Sequence, residues 1–598
     1  MKRMGLFKNL LLPVLAVFTV LVYLGFTNKE GHVEGDPLSL EYMLVDESGD
    51  RLFVSAKTAH RIEVLNLNTR AKVGAINLPE RPKGMALQGG RLYVTCSEGP
   101  GTIEVFDAKT LKPIKSIKGR SGVVAPVVSP KNNSLVVCNQ FLDEVSVYDL
   151  STLQEKTRIK TGRQPIGAVL GKNERYLYVA NLLPDARADI DTVATDLTVI
   201  DLKKGQFIKN IALENGSNAL RGINLSKDGR WVYVSHNLGR FQVPTSQLEQ
   251  GWMNTSAMSI IDTENMMRVA TVLLDEPENG AAGIWGIDSD GEKIYVAHSG
   301  THDFSVIEEA PMIERLLKHN DKPSLAYDLT FLNGIRQRIK VTGNGPRQLV
   351  VNGNELIVST YFSDTLNFFD INNEYENQTL AMNPNLRESK ARQGERLFND
   401  AQYCFQGWQS CNGCHPNDAR IDGLNWDLLN DGIGSPKNCK SLLLSHETPP
   451  AMITGIRASA EVAVRAGFRH IQFTQMPDEK ASTVDAYLKS LKPTPSPYLV
   501  DGQLSAKAQR GKKAFEKAKC SACHNGTYFT DKRLHKVLPD TATMLDTPTL
   551  IEVWRTAPYL HDGRARTMED VIKVERHGIL RKISKKEMED LAEYVLSL

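Results

Sequence analysis

The chain has 598 residues, 41% of them hydrophobic and 24% charged, which is the composition of a folded soluble protein and too much length for one core. Its formal net charge of +2 excludes nucleic acid or another broad polyanion as a partner.

Lys2, Arg3 and Lys8 precede an apolar run from Leu10 to Phe26, broken by Pro13, Thr19 and Gly25. A charged start and an apolar middle read residues 1–30 as an export signal. No small-residue cleavage site follows, so an uncleaved membrane anchor is favoured over a cleaved signal peptide. Either version puts the rest of the chain in the periplasm, with this segment as its one contact with the membrane.

From 38 to 378 the sequence repeats. Each unit has a turn rich in Gly, Asn or Asp, a strand of alternating apolar residues, a polar loop, and further short strands. Copies begin at Arg51, Arg91, Ser134, Tyr176, Trp231, Lys293 and Glu355. Period-two alternation predicts half-buried strands, and a repeat of this length predicts a seven-bladed β-propeller. Leu177-Tyr178-Val179-Ala180-Asn181 and Ile294-Tyr295-Val296-Ala297-His298 resemble the YVTN family of propellers, which speaks for fold and not for function. Insertions at 182–195, 237–256 and 299–330 read as decorations of one face, binding a partner or packing on the neighbouring domain. His298 and His302 read as solvated loop residues. Cys96 and Cys138 end equivalent strands, as a disulfide or as two buried thiols.

After Asn383-Pro384-Asn385 the pattern turns helical, and Cys411-Asn412-Gly413-Cys414-His415 and Cys520-Ser521-Ala522-Cys523-His524 follow. C-x-x-C-H is the attachment signature of c-type haem. Thiols one turn apart reach the two vinyl groups of one porphyrin, and the adjoining histidine ligates the iron. A zinc site would want more ligands at close spacing. The expected cofactors are therefore two covalent haems, with His415 and His524 as iron ligands. Amphipathic helices are predicted over 387–399, 478–491, 505–519 and 584–598, framing all-α class I-like cytochrome c domains at 386–495 and 503–598. Both contain a Thr-Pro followed by an Arg-His pair, which matches His470 with His577 opposite the proximal ligands.

The tandem resembles the bacterial di-haem cytochrome c peroxidase and MauG family, most specifically in Ala557-Pro558-Tyr559-Leu560-His561-Asp562-Gly563-Arg564. The resemblance implies a peroxide-reacting haem and an electron-transfer haem. It also implies Ca2+ between the domains, near Asn438, Thr547 and Pro548. Departures bear on ligation. Glu575 stands where the family commonly has a methionine ligand, which leaves His577 as the distal ligand of the second haem. The loop 429–434 has no histidine, so the first haem is either open or met by His470. Trp426 and Trp554 are the substitutes for the family's tryptophan between the haems.

His470, Glu461 and Glu479 are candidate acid/base groups, and Arg469 a candidate to stabilise a leaving oxygen or neutralise a propionate. Cys404 and Cys439 have no haem-motif partner, and a disulfide between them is expected in an oxidising compartment. The leading expectation is an exported enzyme that reduces hydrogen peroxide at the first haem. Electrons would reach it through the second haem from a small cytochrome c or cupredoxin. The alternatives are a MauG-like oxidase of a protein or organic substrate, and a non-enzymatic electron carrier or redox sensor that docks through its propeller.

Overall fold

The structure is a computed structural model that describes residues 33–97, 99–242, 253–428, 434–537 and 543–598. The export segment and residues 429–433 of the histidine-free loop lie outside the described residues. No helix among the described residues is long and apolar enough to cross a membrane.

Seven four-stranded antiparallel sheets run in sequence from Leu40 to Ala381, each built from consecutive strands. The first strand of each sheet lies innermost, and the circle closes without sharing a strand. Leu38 and Ser39 N–H groups donate to Asp364 in the last blade at 2.7 and 2.8 Å, and Asn352 Nδ2 donates to Gly49 O at 3.2 Å. The two middle strands of the first blade are buried on both faces, not one as the alternation implied. In Arg51–Ala56, Leu52 and Val54 pack with Ile357 and Phe368 of the preceding blade. Phe53 packs with Leu92 and Val94 of the next. Alternation here sorts side chains between two apolar interfaces, while outermost strands such as Lys72–Asn77 keep the half-exposed pattern.

The propeller's histidines are structural. His298 is fully buried between Ala281 O (2.9 Å) and Ser305 Oγ (2.9 Å), and His302 accepts from Gly345 N at 3.0 Å, so neither is a solvated loop residue. Cys96 and Cys138 are buried free thiols in different inter-blade cores.

Two helical units follow. Lys390–Asn399 crosses Asp478–Ser490, and Ala506–Ala518 crosses Lys585–Leu596. Serines 389, 505 and 584 cap three of these helices, Ser584 in a reciprocal box with Glu587. Both crossings depend on a glycine. A Cβ at Gly394 would lie 1.8 Å from Thr483 O, and one at Gly511 would lie 1.9 Å from Asp590 O.

The insertions pack on these units. Ala188 N–H donates to Gly563 O at 3.0 Å, Arg566 pairs with Asp185 at 2.7 Å, and Asn254 Nδ2 reaches Cys414 Sγ at 3.1 Å. The 299–330 insertion touches the first unit at its start, where Ala401 N–H donates to Gly300 O at 2.9 Å, and then folds back as the Glu309–Lys318 helix, with Met312 and Leu316 buried in the core between two blades.

Candidate haem sites

Each pentapeptide forms a single turn, and its histidine is oriented by the same local bond. His415 Nδ1 donates to Arg420 O at 3.1 Å, and His524 Nδ1 donates to Phe529 O at 3.0 Å. A carbonyl can only accept, so the proton sits on Nδ1 and Nε2 keeps its lone pair for a metal. Burial pushes the His415 pKa down to about 4 and lowers that of His524, keeping both imidazoles neutral.

Each unit has an apolar cavity that includes its histidine and at least one motif cysteine. The first, about 420 Å³, takes in Cys411, Cys414, His415, Trp426, Arg457 and His470. The second, about 240 Å³, takes in Cys520, His524, His561 and His577. They share walls at Asn438–Ser441, Leu443, Ile453 and Thr549.

In the second cavity the His524 and His577 rings lie with centroids 6.4 Å apart and planes tilted by 55°. Two imidazoles on one metal, each bonded at about 2.0–2.1 Å with about 1.1 Å from nitrogen to ring centre, would have centroids about 6.3 Å apart. His577 is half-buried, its enclosed Nδ1 has no hydrogen-bond partner, and burial holds its pKa at about 4. These residues fit a metal porphyrin between the rings.

The first unit is not the mirror of the second. The antiparallel bridges Ala451–Arg457 and Tyr559–Ala565 lie 108 positions apart, whereas His470 and His577 lie 107 apart. His577 instead follows the turn Asp570–Val574, its N–H donating to Val571 O at 3.0 Å, so His470 and His577 do not occupy matching places. His470 ends the Ala460–His470 helix, exposed at the cavity rim. Along that helix Ala460, Ala463, Val464 and Gly467 face the cavity.

Other expected site residues lie elsewhere. Glu461 points to solvent and pairs with Lys489 at 2.9 Å, which draws its pKa down to about 2, so it does not face the cavity. Arg469 is exposed on the outer face of the same helix. Cys404 and Cys439 are free. Cys404 is buried in its own turn, whereas the Cys439 thiol donates to Cys414 O at 3.1 Å. The Asn438 amide and the Thr547 hydroxyl both lie among backbone carbonyls. The Asn438 amide is satisfied when its nitrogen donates to Pro558 O (3.2 Å) and Cys439 O (3.3 Å), and the Thr547 hydroxyl donates to Arg533 O at 3.2 Å. Trp426 Nε1 donates to Asp422 Oδ2 at 2.8 Å inside the first cavity, and Trp554 stacks edge-on against Phe141 of the propeller at 5.1 Å.

A buried ion network ties the units together. Arg420, whose carbonyl orients His415, pairs with Glu552 at 2.7 Å, and Glu552 pairs with Arg555 at 3.0 Å. Lys440 pairs with Asp546 at 2.7 Å beside the shared cavity wall. Sequence reasoning missed this network because its cross-unit pairs, Arg420–Glu552 and Lys440–Asp546, lie more than 100 positions apart.

Residues 48–263 match the family Cytochrome D1 heme domain, and residues 508–598 match the family Cytochrome c. The gamma subunit of hydrazine synthase from Kuenenia stuttgartiensis is 28% identical over 274 residues, covering 35% of this chain and 77% of that one. The beta subunit is 24% identical over 221 residues, covering 35% of this chain and 57% of its own length. The methylamine utilization protein MauG of Methylophilus methylotrophus is 23% identical over 264 residues, covering 34% and 79%. A solved structure of K. stuttgartiensis hydrazine synthase superposes with a TM-score of 0.52 at 20% identity, covering 57% of this chain and 98% of that chain, a likeness of fold. The chain is a seven-bladed propeller joined to a C-terminal cytochrome c region, similar in its parts to hydrazine synthase and MauG, and it is a haem c oxidoreductase-like protein.

Proposed function

We propose that the chain is an exported di-haem c-type oxidoreductase in which the first unit meets a small substrate and the second relays electrons. The observation that carries this reading is the asymmetry of the cavities. The second brings His577 to the spacing of a paired ligand opposite His524, whereas the first is larger and has its only distal-side imidazole, among the described residues, at the rim. Bound haem would supply one-electron redox chemistry and, where a coordination position stays open, a place for a small ligand.

The chain's own residues do the rest. Cys411, Cys414, Cys520 and Cys523 would anchor the groups. The bonds to Arg420 O and Phe529 O fix the His415 and His524 tautomers. The Ala460–Gly467 face supplies an apolar wall that excludes water. His470 and Arg457 are the polar groups that can hand a proton to a substrate oxygen and stabilise the charge left behind. Hydrogen peroxide suits such a site, with a small periplasmic cytochrome c or cupredoxin as donor.

A second reading is favoured by the match to both the beta and gamma subunits of hydrazine synthase, in which the substrate is a small nitrogen compound. Steady-state turnover of hydrogen peroxide and of hydroxylamine, each with a reduced c-type cytochrome, tests the two. Turnover of peroxide that falls by ~10² or more in His470→Ala supports the first reading. Turnover of hydroxylamine alone supports the second, and turnover of neither overturns the enzyme assignment.

A further inference from the structure

A third cavity, about 280 Å³, lies on the propeller axis and plays no part in the chemistry above. Every inner strand breaks register at the same level of the propeller, between Leu40 and Met43, Pro82 and Gly84, Pro165 and Gly167, Asn218 and Gly222, Ile284 and Ile287, and Pro346 and Gln348, and likewise opposite Val136–Cys138. A bulge turns its extra residue out of the ladder. The residues so turned include Glu41, Lys83, Arg221, Trp285 and Arg347, and all of these line the cavity. Gly222 permits the close approach of the next blade, since a Cβ there would lie 2.5 Å from Trp285 O. The wall is completed by the first cytochrome unit, through Asn412 of its pentapeptide and Asn417 and Asp418 just beyond it.

The charges do not balance. Lys57, Lys83, Arg221 and Arg347 face Glu41 and Asp418, while the remaining lining carboxylate, Glu395, is held by Arg392 at 2.7 Å. Glu41 pairs with Lys57 at 2.9 Å and with Arg347 at 3.7 Å. Neither Lys83 nor Arg221 has an ion-pair partner among the described residues. Arg221 and Arg347 lie over the Trp285 ring at 4.6 and 4.0 Å, which fixes both guanidinium groups. Arg347 is 5% exposed, yet its buried Nε has no hydrogen-bond partner. Enclosed cations without counter-charges are costly, and paired guanidinium groups match carboxylate and phosphate oxygens. No histidine lines the cavity, so it offers no imidazole to a metal porphyrin.

We propose that the axial cavity binds a small dianion through carboxylate or phosphate oxygens, held by Arg221, Arg347 and Lys83 and seated against the segment that carries His415. The test is calorimetric titration of the full haem-loaded chain with succinate and, separately, inorganic phosphate, at constant ionic strength and with chloride as control. We expect one saturable site per chain for at least one of the two, weakened tenfold or more in Arg221→Gln and in Lys83→Gln. The same loss of charge at the exposed turn residue Lys131, in Lys131→Gln, should leave it unchanged. Saturation by one probe alone names the oxygen chemistry preferred. The proposal is overturned if the wild-type chain shows no saturable heat with either anion, if chloride competes equally, or if folded Arg221→Gln and Lys83→Gln both bind like wild type. These titrations do not depend on turnover, so they stand whether or not the proposed redox function does.

Discussion

At the scale of single residues the two units separate cleanly. His577 has an enclosed Nδ1 without a hydrogen-bond partner and a pKa lowered to about 4 by burial, and an enclosed polar atom in that state marks a place where a ligand is expected. His577→Gly should convert a low-spin haem signal to high-spin in the absorption spectrum and leave ligand binding at the first unit intact. His470→Gly, removing a rim residue, should leave resting spectra unchanged and act on turnover. Glu552 is a different case. It sits between Arg420 and Arg555 with all three side chains buried, so Glu552→Gln leaves two guanidinium groups facing each other. A loss of about 3–5 kcal/mol is expected in chemical denaturation. The motif histidines His415 and His524 were legible because each closes a C-x-x-C-H pentapeptide. The distal residues were not. The internal repeat suggested matching places for His470 and His577, but one ends an eleven-residue helix and the other follows a short turn, a difference that no local pattern marks. The Cys404–Cys439 disulfide failed because parity of cysteines says nothing about where a thiol points.

Among the elements, the four framing helices were read to within a few residues because apolar stripes and serine caps mark them. Ser584→Ala removes one half of the reciprocal cap of Lys585–Leu596 and should cost about 1 kcal/mol in thermal unfolding. The Ala460–His470 helix escaped notice for a physical reason. Its inward face is Ala460, Ala463, Val464 and Gly467, small residues that border a cavity instead of a packed core, so no strong apolar stripe appears. The inner-strand bulges escaped notice too. A bulge interrupts the very alternation by which a strand is recognised, although Pro82-Lys83-Gly84 and Pro165-Ile166-Gly167 mark the same offset in two blades.

Over the whole molecule, the propeller serves as the platform on which the cytochrome units rest. His302 meets Asp400 at 3.4 Å, and Arg163 donates to Arg555 O at 3.0 Å, so both units are held by the same face. The axial charges should also set the acid limit of the assembly. Burial favours protonation of Glu41, but Lys57, Arg347 and Lys83 outweigh it, and its pKa falls to about 2 from 4.5. A depressed carboxylate contributes its stability in full above pH 4.5 and loses it as pH falls towards 2. Thermal unfolding followed between pH 5 and 2.5 should therefore show a steeper acid loss in the wild type than in Glu41→Gln. The seven-bladed repeat was legible from the sequence, whereas the way the units cap the axis was not, because no local pattern encodes which surface meets which.

The central claim is that one unit is closed and the other open. Electron spin resonance of the resting, haem-loaded protein, recorded before and after adding cyanide, tests it most directly. One low-spin signal should be untouched by cyanide, and one high-spin signal should be converted by it. Two low-spin signals, both indifferent to cyanide, would contradict it and leave the chain an electron carrier.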